Sequence, residues 1–315
     1  MRMRPAVPWL AAALGLISSG ANAAALSPLV TGTAHEALFG VAAEGNRAVA
    51  VGAAGAIMES ADGGKTWKPD ADVPTPLSLL GVALAKGHAI AVGQQGTVLL
   101  QDSPGQWSKA DSGTDSRLFA VALNGNVAVT VGAFGTVLRS ADAGKTWTAI
   151  APDWSKYTAN GEQPHLYDVA LDDKGAITIA GEFGFILRST DAGKTWKALH
   201  KGEASIFALQ LRPDGVGYAV GQDGVVLRSG DHGATWTLLK SASAALLLGV
   251  YSAPGGHVVV TGMHDMMVSG DDGKSWRHVD GERVYTGWYE GVTGSGTGSP
   301  PLAVGYFGEI VQLTN

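Results

Sequence analysis

The residues whose types and spacing point to chemistry are few, and most recur in register. Five aspartates, Asp62, Asp142, Asp191, Asp231 and Asp271, share one setting, Ser-x-Asp-x-Gly-x-Thr-Trp, with serine for threonine in the last. Each is followed by a tryptophan: Trp67, Trp147, Trp196, Trp236 and Trp276. An Asp so placed accepts backbone N–H bonds across a tight turn, and the Gly takes positive φ. These aspartates therefore read as turn formers, not as catalytic acids. Glycoside hydrolysis needs two carboxylates at a defined separation. The other turn acids, Glu182, Asp223, Asp265 and Glu309, are isolated in sequence. Tyr285 and Glu290 lie close together, with nothing beside them to complete a hydrolytic set.

Metal and cofactor signals are weak. Asp271-Asp272-Gly273-Lys274 lacks the ligand alternation and terminal Glu of a calcium loop. The histidines show no zinc spacing. The Gly-x-x-Gly turns join two strands and open no helix, so they are not phosphate loops. No metal and no cofactor is expected. Beyond the first 23 residues, two tryptophans, Trp154 and Trp288, fall outside the repeat, and Tyr157 lies beside the first. Together they are candidate partner-binding residues. Asp168 stands where the other repeats hold Gly40, Gly81, Ala120, Ala208, Gly249 and Gly291. A satisfied hydrogen bond or a channel ligand would account for it.

The elements that must position these residues form one repeat. Leu38-Phe39-Gly40-Val41 returns at Leu79, Leu118, Leu166, Ile206, Leu247 and Tyr289, in steps of 41, 39, 48, 40, 41 and 42 residues. Each unit continues with a Val- and Ala-rich run, a Gly-x-x-Gly turn, a short apolar strand, the Asp hairpin and the Trp. In the second unit the hairpin is degraded to Asp102-Ser103-Pro104-Gly105-Gln106-Trp107. Four short strands per roughly 40 residues predict an all-β, seven-bladed β-propeller of four-stranded blades. The seventh unit stops after its third strand, Glu309–Leu313. The N-terminal strand Leu29–Thr33 is expected to supply the fourth and close the ring. The long step places an insertion, residues 151–165, on the face of the Gly-x-x-Gly turns. Gly281–Trp288 is a second candidate loop there, and the Asp hairpins lie on the opposite face.

Composition narrows the class. The 315 residues include 45 glycines and no cysteine, with a formal net charge of −6. The acidic balance argues against nucleic-acid binding. Residues 1–23 read as a secretory signal: Arg2 and Arg4, an apolar stretch too short to span a membrane, and Ala21-Asn22-Ala23 as the cleavage site. Cleavage near Ala23 would take the formal charge from −6 to −8 by removing the two arginines. The expected mature chain is one domain, residues 24–315, working in the periplasm or outside the cell as a monomer.

The Ser-x-Asp-x-Gly-x-Thr-Trp segment resembles the Asp-box, or BNR repeat, of sialidases and sortilin-like receptors. The longer unit, Val-Gly-x-x-Gly-x-(Val/Ile)-Leu-Arg-Ser-x-Asp-x-Gly-x-Thr-Trp, is similar to that of photosystem II stability and assembly factors. That resemblance implies an exported, non-enzymatic scaffold that binds a membrane-protein partner. It also implies an arginine ending the third strand of many blades, kept here as Arg139, Arg188 and Arg228. These three are candidate partner contacts, as bidentate guanidinium donors, or alternatively ties between blades. The rival is a sialidase-like hydrolase, but no Arg-Ile-Pro segment is present and Tyr285 and Glu290 stand alone. A carbohydrate-binding propeller would use Trp154, Tyr157 and Trp288 as stacking platforms.

Overall fold

Glycine-punctuated apolar runs of four to seven residues cannot bury themselves, and here they assemble side by side. The structure, a computed structural model, describes residues 24–294 and 300–314. The expected signal peptide, residues 1–23, lies outside the described residues. The described residues form seven four-stranded antiparallel sheets, six of them with strands in chain order. In blade 4 the strands are Leu166–Leu171, Ile177–Gly181, Ile186–Ser189 and Lys197–His200. The second strand is buried throughout, which explains its lack of apolar alternation. First strands of successive blades meet around a central channel, and that of blade 7 meets that of blade 1. The seven-bladed propeller expected from the repeat is the fold observed. Among the described residues no helix is long and apolar enough to cross a membrane.

The core lies in the seams between blades. Val129 and Val131 of blade 3 pack with Ile177, Ile179 and Leu187 of blade 4 in one cluster. The tryptophans of the Asp hairpins join such clusters from the rim: Trp196 at the seam of blades 3 and 4, Trp67 at that of blades 7 and 1. Their place in the repeat suggests full burial, yet they are half-buried, because each caps the open end of a seam. The Trp196 indole N–H donates to the Ile150 carbonyl of the preceding blade at 3.0 Å. The hairpin glycine belongs to the same contact. Gly193 has φ +87°, and a Cβ there would lie 2.5 Å from Ile150 Cδ1.

Closure comes from the N-terminal strand, Ala25–Val30, paired antiparallel with Ile310–Thr314. Leu302–Gly305 and Tyr289–Thr293 complete that sheet. The closing strand begins and ends earlier than the expected residues 29–33. Pairing starts at Ala25, slips at a bulge between Pro28 and Val30, and stops there. Beyond it Gly32 passes so close to the Phe307 carbonyl oxygen that a Cβ would lie 2.5 Å from it, so the chain has left the sheet edge. Removing residues 24–30 bares the edge of Ile310–Thr314 and uncovers the cluster that holds Ala24 and Leu26. That deletion is expected to lower the melting temperature by more than about 10 °C in calorimetry.

Candidate functional site

Each Asp hairpin is built around its carboxylate. Asp62 Oδ1 accepts from the backbone N–H of Lys65 and Thr66 at 3.0 and 2.9 Å, and Oδ2 from the Thr66 hydroxyl at 2.6 Å. The i+4 N–H and hydroxyl bonds recur at Asp142, Asp191, Asp231 and Asp271, from threonine in the first three and Ser275 in the last. The hydroxyl bond, followed by the backbone N–H, holds all five carboxyls down at about 2. They are spent on turn geometry.

The arginines sit at the same end of the ring. Arg188 donates to Asp172 Oδ2 at 2.7 Å within blade 4 and to the His232 carbonyl, in the hairpin of blade 5, at 2.5 Å. Arg228 donates to the Tyr218 hydroxyl at 3.3 Å and lies 3.9 Å from Asp272 in the hairpin of blade 6. Both guanidinium groups thus lean across a seam. Arg139 has no hydrogen bond or ion pair among the described residues. In blade 2 the equivalent position is Leu100, since Leu100 pairs with Ile90 as Arg139 pairs with Val129.

The opposite face carries a different constellation. In blade 4, Leu166 pairs with Gly181 and Asp168 with Ala180, leaving Tyr167 skipped. The same slip occurs in all seven blades. A bulge re-aims the side chain of the extra residue. Here the skipped residues are Phe39, Leu80, Phe119, Tyr167, Phe207, Leu248 and Glu290. All seven line a cavity of about 300 Å³ at the channel mouth. A second space of about 350 Å³ continues along the channel. Phe119 and Tyr167 pack at 5.5 Å between centroids, Tyr167 and Phe207 at 4.7 Å. Outside this ring Trp288 stacks on Phe39 at 5.8 Å, and His165 meets Phe134 at 5.1 Å. Phe134 is 66% exposed in a Gly-x-x-Gly turn at φ +53°, a conformation that costs a non-glycine residue energy.

Two carboxyls face the channel. Asp168 Oδ1 accepts from the Val169 N–H at 2.8 Å, and Oδ2 from the Leu209 N–H of blade 5 at 2.7 Å. Burial nevertheless outweighs these donors and pushes it up to about 7. Glu290 is exposed at the mouth, and desolvation by the apolar ring around it pushes its carboxyl up towards about 7, an effect that its contact with water limits. Other residues singled out in the sequence lie apart from the mouth. Trp154 is buried in the seam of blades 3 and 4. The Tyr157 hydroxyl donates to the Trp196 carbonyl at 2.6 Å. Tyr285, on a short helix over Glu282–Thr286, donates to Asp280 at 2.5 Å, away from Glu290. Trp288 alone of the three aromatic candidates flanks the ring.

With this geometry, the solved structures most informative for comparison are propellers. YCF48 bound to a D1 peptide superposes with a TM-score of 0.73 at 18% identity, over 93% of this chain and 97% of that one. The chain shares the fold of YCF48. YCF48 from Cyanidioschyzon merolae gives 0.69 at 19% identity, over 92% and 98%. The GH74 xyloglucanase from Xanthomonas campestris gives 0.72 at 15% identity, over 91% of this chain but 53% of that enzyme. No protein-family model and no curated protein matches the sequence.

Two consequences follow for stability. Arg188 and Asp172 are largely buried, so Arg188→Ala should cost about 2 kcal/mol and lower the melting temperature by about 5 °C. Arg139→Ala, with no such bond to lose, should stay within about 2 °C of the parent. The Glu290 carboxyl keeps its proton up to about 7 when folded and releases it near 4.5 when exposed. The folded state therefore holds the extra proton in that window, and stability falls as pH rises through it. Glu290→Gln should be more stable than the parent in urea unfolding at pH 8, and the difference should vanish near pH 4.

Proposed function

We propose that the chain is an exported, non-catalytic binding propeller that holds a protein partner at its channel mouth. The observation that carries this reading is the ring of bulged side chains at the mouth, six of them apolar or aromatic. It continues outward through Trp288 and the exposed Phe134. A contiguous apolar patch of this kind on a soluble chain marks an interaction surface. The fold likeness to YCF48, caught with a D1 peptide, supports a polypeptide as the occupant. The repeat's resemblance to photosystem II assembly factors adds a membrane-protein subunit, or its exported loop, as the partner, met in the periplasm. The acidic net charge adds a partner with basic character.

A hydrolase reading keeps one support, the fold likeness to a GH74 xyloglucanase. The two separate in one set of assays. Purified mature protein should turn over neither xyloglucan oligosaccharides nor sialosides. Crosslinking in an envelope extract should capture discrete protein partners, and a Phe119→Ser/Phe207→Ser variant of unchanged melting temperature should lose them. Sustained turnover that Glu290→Gln abolishes, or capture indifferent to the double variant, overturns the proposal.

A further inference from the structure

Six of the seven skipped positions carry apolar or aromatic side chains; the seventh, in blade 7, carries Glu290. Leu248 and Phe39 of the adjoining blades flank it, and Phe119 and Tyr167 belong to blades across the ring. Glu290 borders both the mouth and the channel behind it. Among the described residues no hydrogen bond or ion pair reaches its carboxyl. Arg117 is the cation on the cavity wall, and it forms no ion pair with Glu290. An apolar plug from a partner would strip the remaining water from the carboxyl and return nothing. A cation would pair with it.

Aromatic rings attract cations through their quadrupoles, and a carboxylate among them adds directional charge. A cavity of about 300 Å³ has room for one long side chain and not for a folded segment. The net charge of −6 draws cationic partners from a distance. We propose that the mouth is a cage for one lysine or arginine side chain of the protein partner, its shaft among Phe39, Phe119, Tyr167 and Phe207 and its charge on Glu290. This deepens the protein-binding reading above and rests on it. The positive charge offsets the desolvation that raises the Glu290 carboxyl and favours its ionised form.

The test uses three acetylated, amidated peptides, Gly-Gly-Lys-Gly-Gly and its arginine and norleucine counterparts, titrated into the mature protein and followed by NMR. The lysine and arginine peptides should shift the resonances of Phe119, Tyr167 and Phe207, with the norleucine peptide at least about tenfold weaker. Glu290→Gln should weaken the lysine peptide by about tenfold and flatten its salt dependence while remaining folded. Equal binding of lysine and norleucine, shifts confined to other surfaces, or no binding at millimolar peptide overturns the cage. Lysine binding with no partner captured from the envelope extract leaves the cage standing and removes the scaffold reading. Capture of a partner that Glu290→Gln leaves unchanged does the reverse.

Discussion

Every part of this ring depends on the seam between neighbouring blades. A twisted four-stranded sheet of short strands exposes two apolar faces, and only another blade on each side covers both. The repeat is therefore a device for making seams. The hairpin aspartate orders the turn, the turn presents a glycine and a tryptophan, and both meet the preceding blade, as Gly193 and Trp196 meet Ile150. Polar ties follow the same route. Asp168 reaches Leu209, and Gln210 Oε1 accepts from the Ser252 N–H of the next blade at 2.5 Å. The arginines Arg188 and Arg228 do likewise at the hairpin end. Such a stack is stable only when its last seam closes, which the pairing of Ala25–Val30 with Ile310–Thr314 secures.

Closing seven blades around one axis crowds the first strands. A Cβ on Gly81 would lie 2.7 Å from the Phe119 carbonyl oxygen, which is why glycine and alanine recur at that position. The crowding also buries the Asp168 carboxyl and lifts it to about 7. Directly above, the bulge turns the preceding residue of each strand towards the mouth. Fold and candidate site are thus one construction: the same seven strands that close the ring present the seven side chains.

Much of this was legible in the sequence, for a physical reason. Seven occurrences of one tetrapeptide and five Asp hairpins are local signals, and local signals repeated at a fixed step define a ring. The closing strand was legible from the seventh unit's missing piece, although its limits, Ala25–Val30, depended on a bulge at Pro28 that composition does not show. The mouth was less legible. Its signal lay in the second letter of each tetrapeptide, Phe, Leu, Phe, Tyr, Phe, Leu and Glu, but only the bulge reveals that this letter faces the channel. The insertion misled in the other direction. Trp154 and Tyr157 fall outside the repeat, yet they pack into the seam of blades 3 and 4. Aromatic residues outside a repeat do not by themselves mark an exposed platform.

In the proposed complex the partner sits on the mouth and not on the arginine-bearing end. Amide hydrogen exchange of the mature protein, with and without its captured partner, tests this most directly. New protection is expected at the entry of the first strands, residues 38–41, 118–121, 166–169 and 206–209, and in the Gly-x-x-Gly turn around Phe134. Protection confined to the Asp hairpins beside Arg139, Arg188 and Arg228, with the first strands unchanged, would contradict it.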